Sequence, residues 1–226
     1  MKFSTNLTQI TQREDFNLYF YIVKSATVPT FLRLFFPSLI WRMPRGEKRI
    51  YLTFDDGPHP DITPMVLEIL ETYNAKATFF CVGHNVEKFH DTYQLILAAG
   101  HKTGNHTFNH VKGWNCAADA YVGNVQKANV LIQSNYFRPP YGKITPAQIR
   151  RLKTNFQIVM WSVLSYDFDK ETSPEQCLIN VLKNVKDGDI VVFHDSEKAA
   201  RNMLFTLPKV LDSLKKNGYT FAALDN

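Results

Sequence analysis

The chain has few cysteines, with only Cys81, Cys116 and Cys177 among its 226 residues. They are far apart and form no CxxC pair, which argues against a disulfide framework or a zinc cluster built on thiolates. No hydrophobic run reaches the ~20 residues that a membrane span needs, so we predict no stable membrane insertion. There is also no internal repeat or low-complexity segment. Hydrophobic residues make up 45% of the chain, which is enough for a full core. The length of 226 residues fits one large α/β domain, which we favour over two small ones.

Positive charge is in excess but is not concentrated in one region. A net charge of +5 and a pI near 9.0 would suit an acidic partner. However, the densest basic group of the second half, Arg150, Arg151 and Lys153, is typical of a solvated helix face. No zinc-finger spacing and no basic run interleaved with aromatic residues is present. We therefore predict that nucleic acid is not a partner.

The first part of the chain differs in composition from the rest. Residues 1–48 are polar at first and then aromatic, and three prolines interrupt them, so we expect an arm that packs on a domain formed by residues 49–226. Residues 16–23 are apolar, but they are few and follow Glu14 and Asp15 instead of a basic segment. A signal peptide is therefore not predicted. We expect a cytoplasmic protein, with a cell-envelope location as the alternative.

From residue 49 onward, short apolar runs alternate with segments of helical period, which is typical of βα units around a parallel sheet. Strands are predicted at residues 49–54, 77–82, 136–138, 156–163, 188–193 and 219–224. Helices are predicted to begin near residues 61 and 172, to cover residues 85–99, 117–133 and 145–155, and to end near residue 218. About seven strand–helix alternations predict a distorted (β/α) barrel, whose active site would lie at the carboxyl ends of the strands.

Two adjacent acids follow the first predicted strand, in the sequence TFDDGP at residues 53–58. Side chains alternate along an extended chain, so Asp55 and Asp56 should point in different directions and could have different roles. Asp-Gly is also an ordinary turn sequence. These residues alone therefore leave a turn and an active site equally open.

Two histidines, His106 and His110, are four residues apart, close enough in a single helical turn to share one metal ion. No glutamate follows the first histidine, which excludes the HExxH pattern of zinc peptidases; a polar loop is the alternative interpretation. A carboxylate from Asp55 or Asp56 would complete a set of two histidines and one carboxylate, with positions open for water and substrate. Together these residues indicate a catalytic metal site.

Five motifs in the same order resemble those of the polysaccharide deacetylase family, the NodB-homology carbohydrate esterases of family 4, which remove acetyl groups from N-acetylated sugars. The resemblance covers residues 49–224 and implies a NodB-like barrel of about seven parallel strands. The motifs are TFDDGP at residues 53–58, H-[ST]-x-x-H at 106–110, R-x-P-[YF]-G at 138–142, an aspartate–aromatic pair at 167–168 and a histidine motif at 192–194.

The resemblance implies a metal site and a general base. Asp56, His106 and His110 would hold a divalent metal ion, with Zn²⁺ favoured over Co²⁺ and other divalent ions. Asp55 would take a proton from the attacking water, since a bound metal ion lowers the pKa of water. Arg138 would pair with Asp55 and keep it ionised.

The resemblance also implies how the products are formed. The metal ion and the backbone N–H of Tyr141, which Pro139 and Pro140 hold in place, would stabilise the oxyanion. His194 would protonate the departing amine, and Asp167 would orient its imidazole ring.

Three positions depart from the family pattern near the expected substrate pocket. Leu164 stands where an acid or amide is usual, Phe168 replaces tryptophan, and Val192 replaces leucine. Pro140, Phe168 and Val192 are predicted to contact substrate. We expect the three departures to change substrate choice more than hydrolysis.

The sequence therefore predicts a monomeric, metal-dependent hydrolase that releases acetate from N-acetylglucosamine residues of peptidoglycan or chitin-like saccharides. The alternatives are an O-acetyl esterase or cyclic amide hydrolase on the same scaffold, or a carbohydrate-binding protein without catalytic activity.

Overall fold

The computed structural model describes residues 25–225; residues 1–24, which include the apolar segment at 16–23, and Asn226 lie outside it. The strands in this range are β1 (Arg49–Asp55), β2 (Ala77–Cys81), β3 (Lys102–Asn105), β4 (Tyr136–Phe137), β5 (Gln157–Ile158), β6 (Val163–Leu164), β7 (Ile190–His194) and β8 (Thr220–Phe221). The helices are α1 (Thr30–Phe35), α2 (Ile62–Thr72), α3 (Gly83–Lys88), α4 (His90–Ala98), α5 (Ala118–Ile132), α6 (Pro146–Leu152), α7 (Pro174–Leu182) and α8 (Ala200–Lys216). Within residues 25–225, no helix is long and apolar enough to cross a bilayer.

The strands form one parallel sheet in the order β5-β4-β3-β2-β1-β7-β6, and β8 pairs with the start of β1. The outermost strands, β5 and β6, are joined by only residues 159–162. Each residue spans at most about 3.5 Å, so the two edges of the sheet must curl toward each other. The predicted distorted barrel of about seven parallel strands is therefore confirmed.

The described part of the predicted arm, residues 25–48, lies along the gap between β5 and β6. Thr27 forms an antiparallel bridge with Val163 in β6, and Ile40 forms a parallel bridge with Val159, which follows β5. These backbone bonds satisfy groups that an open sheet edge would leave unpaired. The buried apolar side chains of this segment are Val28, Leu39 and Trp41.

Strand β1 divides its side chains between two environments, as the alternation of an extended chain requires. Phe54 points toward the helices and stacks on Phe79 and Phe193 of the neighbouring strands. Thr53 and Asp55 point to the other face, into the barrel, where Asp55 is only 4% exposed. The strand therefore delivers Asp55 to the interior of the barrel at its carboxyl end.

Two elements predicted as continuous are divided in the structure. Residues 85–99 form α3 and α4 instead of one helix, because Phe89 between them has φ −121° and ψ 50°. Residues 156–163 form β5 and β6 instead of one strand. The chain bends between these strands because the carbonyl groups of residues 159–160 accept hydrogen bonds from the Arg138 guanidinium instead of from a neighbouring strand.

Strand β3 was missed because its sequence, Lys-Thr-Gly-Asn, contains no apolar run. Its last three residues are nevertheless buried, and β3 pairs with both β2 and β4. Gly104 allows the Phe80 ring to pack on this strand, since a Cβ there would lie 2.5 Å from ring atoms. The position of β3 matters for function because His106 follows its last residue.

Candidate active site

The predicted site residues follow the carboxyl ends of four parallel strands. Asp55 ends β1, His106 follows β3, Arg138 follows β4 and His194 ends β7. Carboxyl ends of parallel strands meet at one edge of a barrel, which is where ligands bind in such folds. Asp167 joins them from the loop after β6 by hydrogen bonding to His194.

Asp56 lies in a strained turn immediately after β1. Its φ of +79° is in the left-handed region, which residues other than glycine seldom adopt. Two hydrogen bonds hold the neighbouring peptide groups. The Asn85 side-chain amide donates to the Asp56 carbonyl (2.7 Å), and the Gly57 N–H donates to the Asp195 carboxylate (3.1 Å). The turn directs the Asp56 side chain away from Asp55, as predicted for adjacent acids with different roles.

The side chains of Asp56, His106 and His110 converge. Their candidate ligand atoms all lie within 4.8 Å of one another, and Asp56 Oδ1 is 3.0 Å from His110 Nε2 and 3.7 Å from His106 Nε2. Ligand atoms ~2.0–2.2 Å from a zinc ion are separated by similar distances. This geometry fits a divalent metal ion bound by two imidazoles and one carboxylate.

Hydrogen bonding and protonation also favour metal binding. His106 Nδ1 donates to the Arg138 carbonyl at 2.8 Å, which leaves the Nε2 lone pair directed at Asp56. Burial lowers the pKa of His106 to about 4, so its ring is neutral at neutral pH. Burial opposes ionisation of Asp56, but the hydrogen bond from His110 and the nearby His194 lower its pKa overall. The cluster thus combines a neutral imidazole with an ionised carboxylate, as a metal ion requires.

The histidine pair is placed by a loop, so the expectation of a single helical turn was wrong. Thr107 and His110 have φ values of 64° and 53°. Asn105 Oδ1 accepts the N–H of Thr107, while Asn124 Oδ1 accepts two further N–H groups of the loop. These side-chain acceptors replace helical hydrogen bonds and bring the two imidazole centroids to 5.1 Å from each other.

Asp55 forms a buried ion pair with Arg138. Arg138 Nη1 donates to Asp55 Oδ1 at 2.7 Å and to Thr53 Oγ1 at 2.8 Å, and the guanidinium lies 4.1 Å from the Phe80 ring centroid. Burial lowers the pKa of Arg138, and the charge of Asp55 opposes that shift. Arg138 also accepts the His106 hydrogen bond through its carbonyl. One residue therefore supports both the predicted base and a predicted metal ligand.

His194 is held by both oxygens of Asp167. Its Nδ1 donates to Asp167 Oδ1 at 2.7 Å, and its backbone N–H donates to Oδ2 at 2.7 Å. Burial alone would lower the pKa of His194, but the charge of Asp167 and this hydrogen bond raise it to about 9. The ring is therefore protonated at neutral pH, and Nε2 is the atom available to donate a proton.

The remaining predicted residues differ in their access to solvent. Tyr141 has φ +60°, is 51% exposed and packs its ring 4.7 Å from that of His110. Phe168 contacts the His194 ring at 4.9 Å. Pro140 is buried, and Val192 is 1% exposed, two residues before His194 on the same face of β7.

Sequence reasoning missed Asp195, which is fully buried beside the TFDDGP turn. It accepts the Gly57 N–H and the Thr63 hydroxyl (2.6 Å), and its own N–H donates to the Asp55 carbonyl at 3.2 Å. Burial raises the pKa of Asp195 to about 8. In the sequence it is only an acid after a histidine, and nothing there indicates this contact.

A cleft with a volume of about 400 Å³ opens beside the candidate ligands. Asp56 and His110 lie in its wall, so a substrate in the cleft would reach the metal position directly. The other lining residues are Val82, His84, Asn85, Asn109 and Ser196.

Comparisons with known proteins agree with the fold and identify the family of this chain. Residues 42–158 match the family model described as polysaccharide deacetylase. A peptidoglycan-N-acetylglucosamine deacetylase of Bacillus cereus is 36% identical over 191 residues, which cover 81% of this chain and 90% of the relative. This chain therefore belongs to the polysaccharide deacetylase family, whose active members are metal-dependent hydrolases.

Two solved structures are also similar. The crystal structure of the Bc1960 peptidoglycan N-acetylglucosamine deacetylase has a TM-score of 0.81 and 31% identity, covering 87% of this chain and 95% of its own. BA3943, a CE4 family pseudoenzyme from Bacillus anthracis, has a TM-score of 0.75 and 26% identity, covering 83% of this chain and 68% of its own. The family fold therefore occurs with and without catalytic activity. Whether this chain is an enzyme has to be inferred from its site residues and not from its fold alone.

Proposed function

We propose that this protein releases acetate from N-acetylglucosamine residues of peptidoglycan or chitin-like saccharides. The observation that carries the proposal is the division of the adjacent acids. Asp56 meets His106 and His110, whereas Asp55 pairs with Arg138 inside the barrel. The sequence similarity to a Bacillus cereus peptidoglycan-N-acetylglucosamine deacetylase supports the choice of substrate.

A divalent ion held by Asp56, His106 and His110 would supply Lewis-acid activation of the acetamide carbonyl and of water. Asp55 takes the proton of the attacking water. Arg138 binds its Oδ1 and orients the carboxylate, so we assign proton transfer to Oδ2.

His194 completes the reaction as the general acid. Cleavage of the amide C–N bond requires a proton on the departing nitrogen, because an unprotonated amine is a poor leaving group. His194 Nε2 donates this proton, while Asp167 fixes the ring through Nδ1 and stabilises its positive charge. The backbone N–H of Tyr141 is assigned to the developing oxyanion. The products are acetate and a free amino sugar.

The direct test is acetate release from N-acetylated chitooligosaccharides and peptidoglycan strands. Activity should disappear with a chelator and return with Zn²⁺, our preferred ion, or with Co²⁺. The same assay on O-acetylated xylan and on a cyclic amide separates the alternative hydrolases. A protein that hydrolyses only one of these other substrates would contradict the proposed amide specificity.

Carbohydrate binding without turnover is the second candidate function, because a solved structural relative is described as a pseudoenzyme. Isothermal titration calorimetry with chitooligosaccharides and an acetate assay on the same sample separate the two functions. Binding by the zinc-loaded protein without acetate release would favour the non-catalytic function.

Oligomeric state and compartment also belong to the proposal. We propose a monomer, to be checked by light scattering. The compartment is linked to the substrate, since peptidoglycan lies outside the cell membrane whereas soluble oligosaccharides also occur in the cytoplasm. Cell fractionation decides between the expected cytoplasmic location and the cell envelope, and an envelope location would favour peptidoglycan.

A further inference from the structure

Two large aromatic side chains, in the loops that follow His110 and Arg138, are exposed to solvent. Trp114 is 49% exposed and Tyr141 is 51% exposed. The Tyr141 ring already contacts His110, so this surface is continuous with the site. Exposed aromatic rings offer broad, rigid apolar faces for binding.

The two rings are held on adjacent loops. The Gly113 N–H donates to the Lys143 carbonyl at 3.0 Å, and Gln148 Nε2 donates to the Gly113 carbonyl at 2.8 Å. The Trp114 indole N–H points to the Ile144 carbonyl at 3.4 Å. These bonds fix the two loops that carry the rings side by side.

A lysine lies over each exposed ring. Lys112 Nζ is 4.7 Å from the Tyr141 centroid, and Lys143 Nζ is 5.2 Å from the Trp114 centroid. Within residues 25–225, no carboxylate lies within 4.0 Å of the Lys112 ammonium group. A cation–π contact positions an ammonium group without neutralising its charge. Lys112 therefore adds positive charge beside the apolar face of Tyr141.

We infer that Lys112, Trp114, Tyr141 and Lys143, here called the aromatic strip, bind the part of a carboxylate-bearing glycan strand that extends from the metal site. This inference rests on the proposed function and specifies its substrate class. The face of a sugar ring presents C–H groups that pack on an indole or phenol ring. The peptide stems of peptidoglycan supply carboxylates, as do the lactyl groups of muramic acid where a stem has been removed, whereas chitin has none. The positive charge of Lys112 therefore favours a peptidoglycan strand over a neutral strand.

The first experiment compares steady-state kinetics of the zinc-loaded full chain on a short and a long substrate. Trp114→Ala should raise KM for soluble peptidoglycan strands about five- to ten-fold, the size expected for losing one aromatic contact. Its kcat/KM for chitobiose should stay unchanged, because we expect a disaccharide at the metal site to contact Tyr141 but not to extend as far as Trp114. Trp114→Phe keeps an aromatic face and should restore part of the affinity. Equal KM values for wild type and Trp114→Ala on the long strands would overturn the inference.

The second experiment tests the charge. Replacing Lys112 and Lys143 together by Met should raise KM for peptidoglycan strands about three- to five-fold at low salt and leave that for long neutral chitooligosaccharides unchanged. Lys209→Met is the matched control, since Lys209 lies 3.5 Å from the Phe205 ring centroid on α8. Equal losses on both polymers, or none, would overturn the preference for carboxylates.

Binding without turnover separates this inference from the proposed function. Calorimetry with the metal-free chain should show weaker binding of peptidoglycan strands by Trp114→Ala and by the double lysine variant. If wild type releases no acetate from any N-acetylated sugar, the proposed function fails whatever the strip binds. If wild type is active and all variants bind and react alike, only the strip is contradicted.

Discussion

The ion pair between Arg138 and Asp55 allows a quantitative test of how the predicted base is held. Arg138 is 0% exposed, and its guanidinium donates to Asp55 (2.7 Å), Thr53 (2.8 Å) and the carbonyl groups of residues 159–160 (3.3 and 2.9 Å). Removing one partner of a buried pair costs about 3–5 kcal/mol, because the other charge stays buried and unpaired. Arg138→Met should therefore lose about that much free energy of unfolding. Its urea midpoint should fall by roughly 1–2 M.

A double-mutant cycle isolates the pair. Asp55→Asn keeps the shape of the side chain and removes its charge, so the double variant should be less destabilised than the two single losses predict, by about 1–3 kcal/mol. Unfolding is measured with a chelator present, because a metal ion bound to the native state would add stability of its own. The exposed pair Lys216–Asp212 on α8 is the control and should show a coupling of at most about 0.5 kcal/mol. Additive losses at Arg138 and Asp55 would refute the account of the base.

Three further predictions concern the rest of the site. Acetate release should fall as pH rises through about 9, because His194 loses its proton there. Asp167→Asn removes the charge that raises the pKa of His194, so the fall should occur at lower pH. An unchanged pH profile in this variant would exclude His194 as the acid. Asp195→Ala should bind Zn²⁺ more weakly in calorimetry because Gly57 loses its acceptor, and Asp195→Asn should recover part of the affinity; wild-type affinity in both would contradict a positioning role. Gly57→Ala should lower both Tm and zinc content, because its Cβ would overlap the Asp195 carboxylate; wild-type values would show that the turn tolerates the change.

The sequence predicted those parts of the fold that carry a local signal. The apolar run at residues 49–54, followed by Asp55, Asp56 and Gly57, predicted a strand that ends near residue 54. The structure has this strand at Arg49–Asp55. Strand β3 was missed because only tertiary packing buries its polar residues. The division of residues 156–163 into two strands also depends on tertiary structure, since the bend is stabilised by Arg138, a residue distant in sequence.

The motifs predicted the residues of the candidate site, but they did not predict the neighbouring residues that hold those side chains in place. The spacing of His106 and His110 suggested a shared ion, yet a helical turn was wrong because Asn105 and Asn124 side chains bind the loop N–H groups instead. Asp195 was missed because a buried carboxylate and a solvated one look alike in a sequence. Contacts between distant segments decide such cases, and a single sequence does not display them.

The central claim is that adjacent carboxylates have separate roles, with Asp56 as metal ligand and Asp55 as base. It is tested most directly by the rate of acetate release from an N-acetylated chitooligosaccharide by zinc-loaded Asp55→Asn, with zinc content determined on the same sample. The account predicts wild-type zinc content and a rate lower by a factor of about 10²–10⁴, the usual contribution of a general base. A rate close to that of wild type, or loss of the zinc ion, would contradict it.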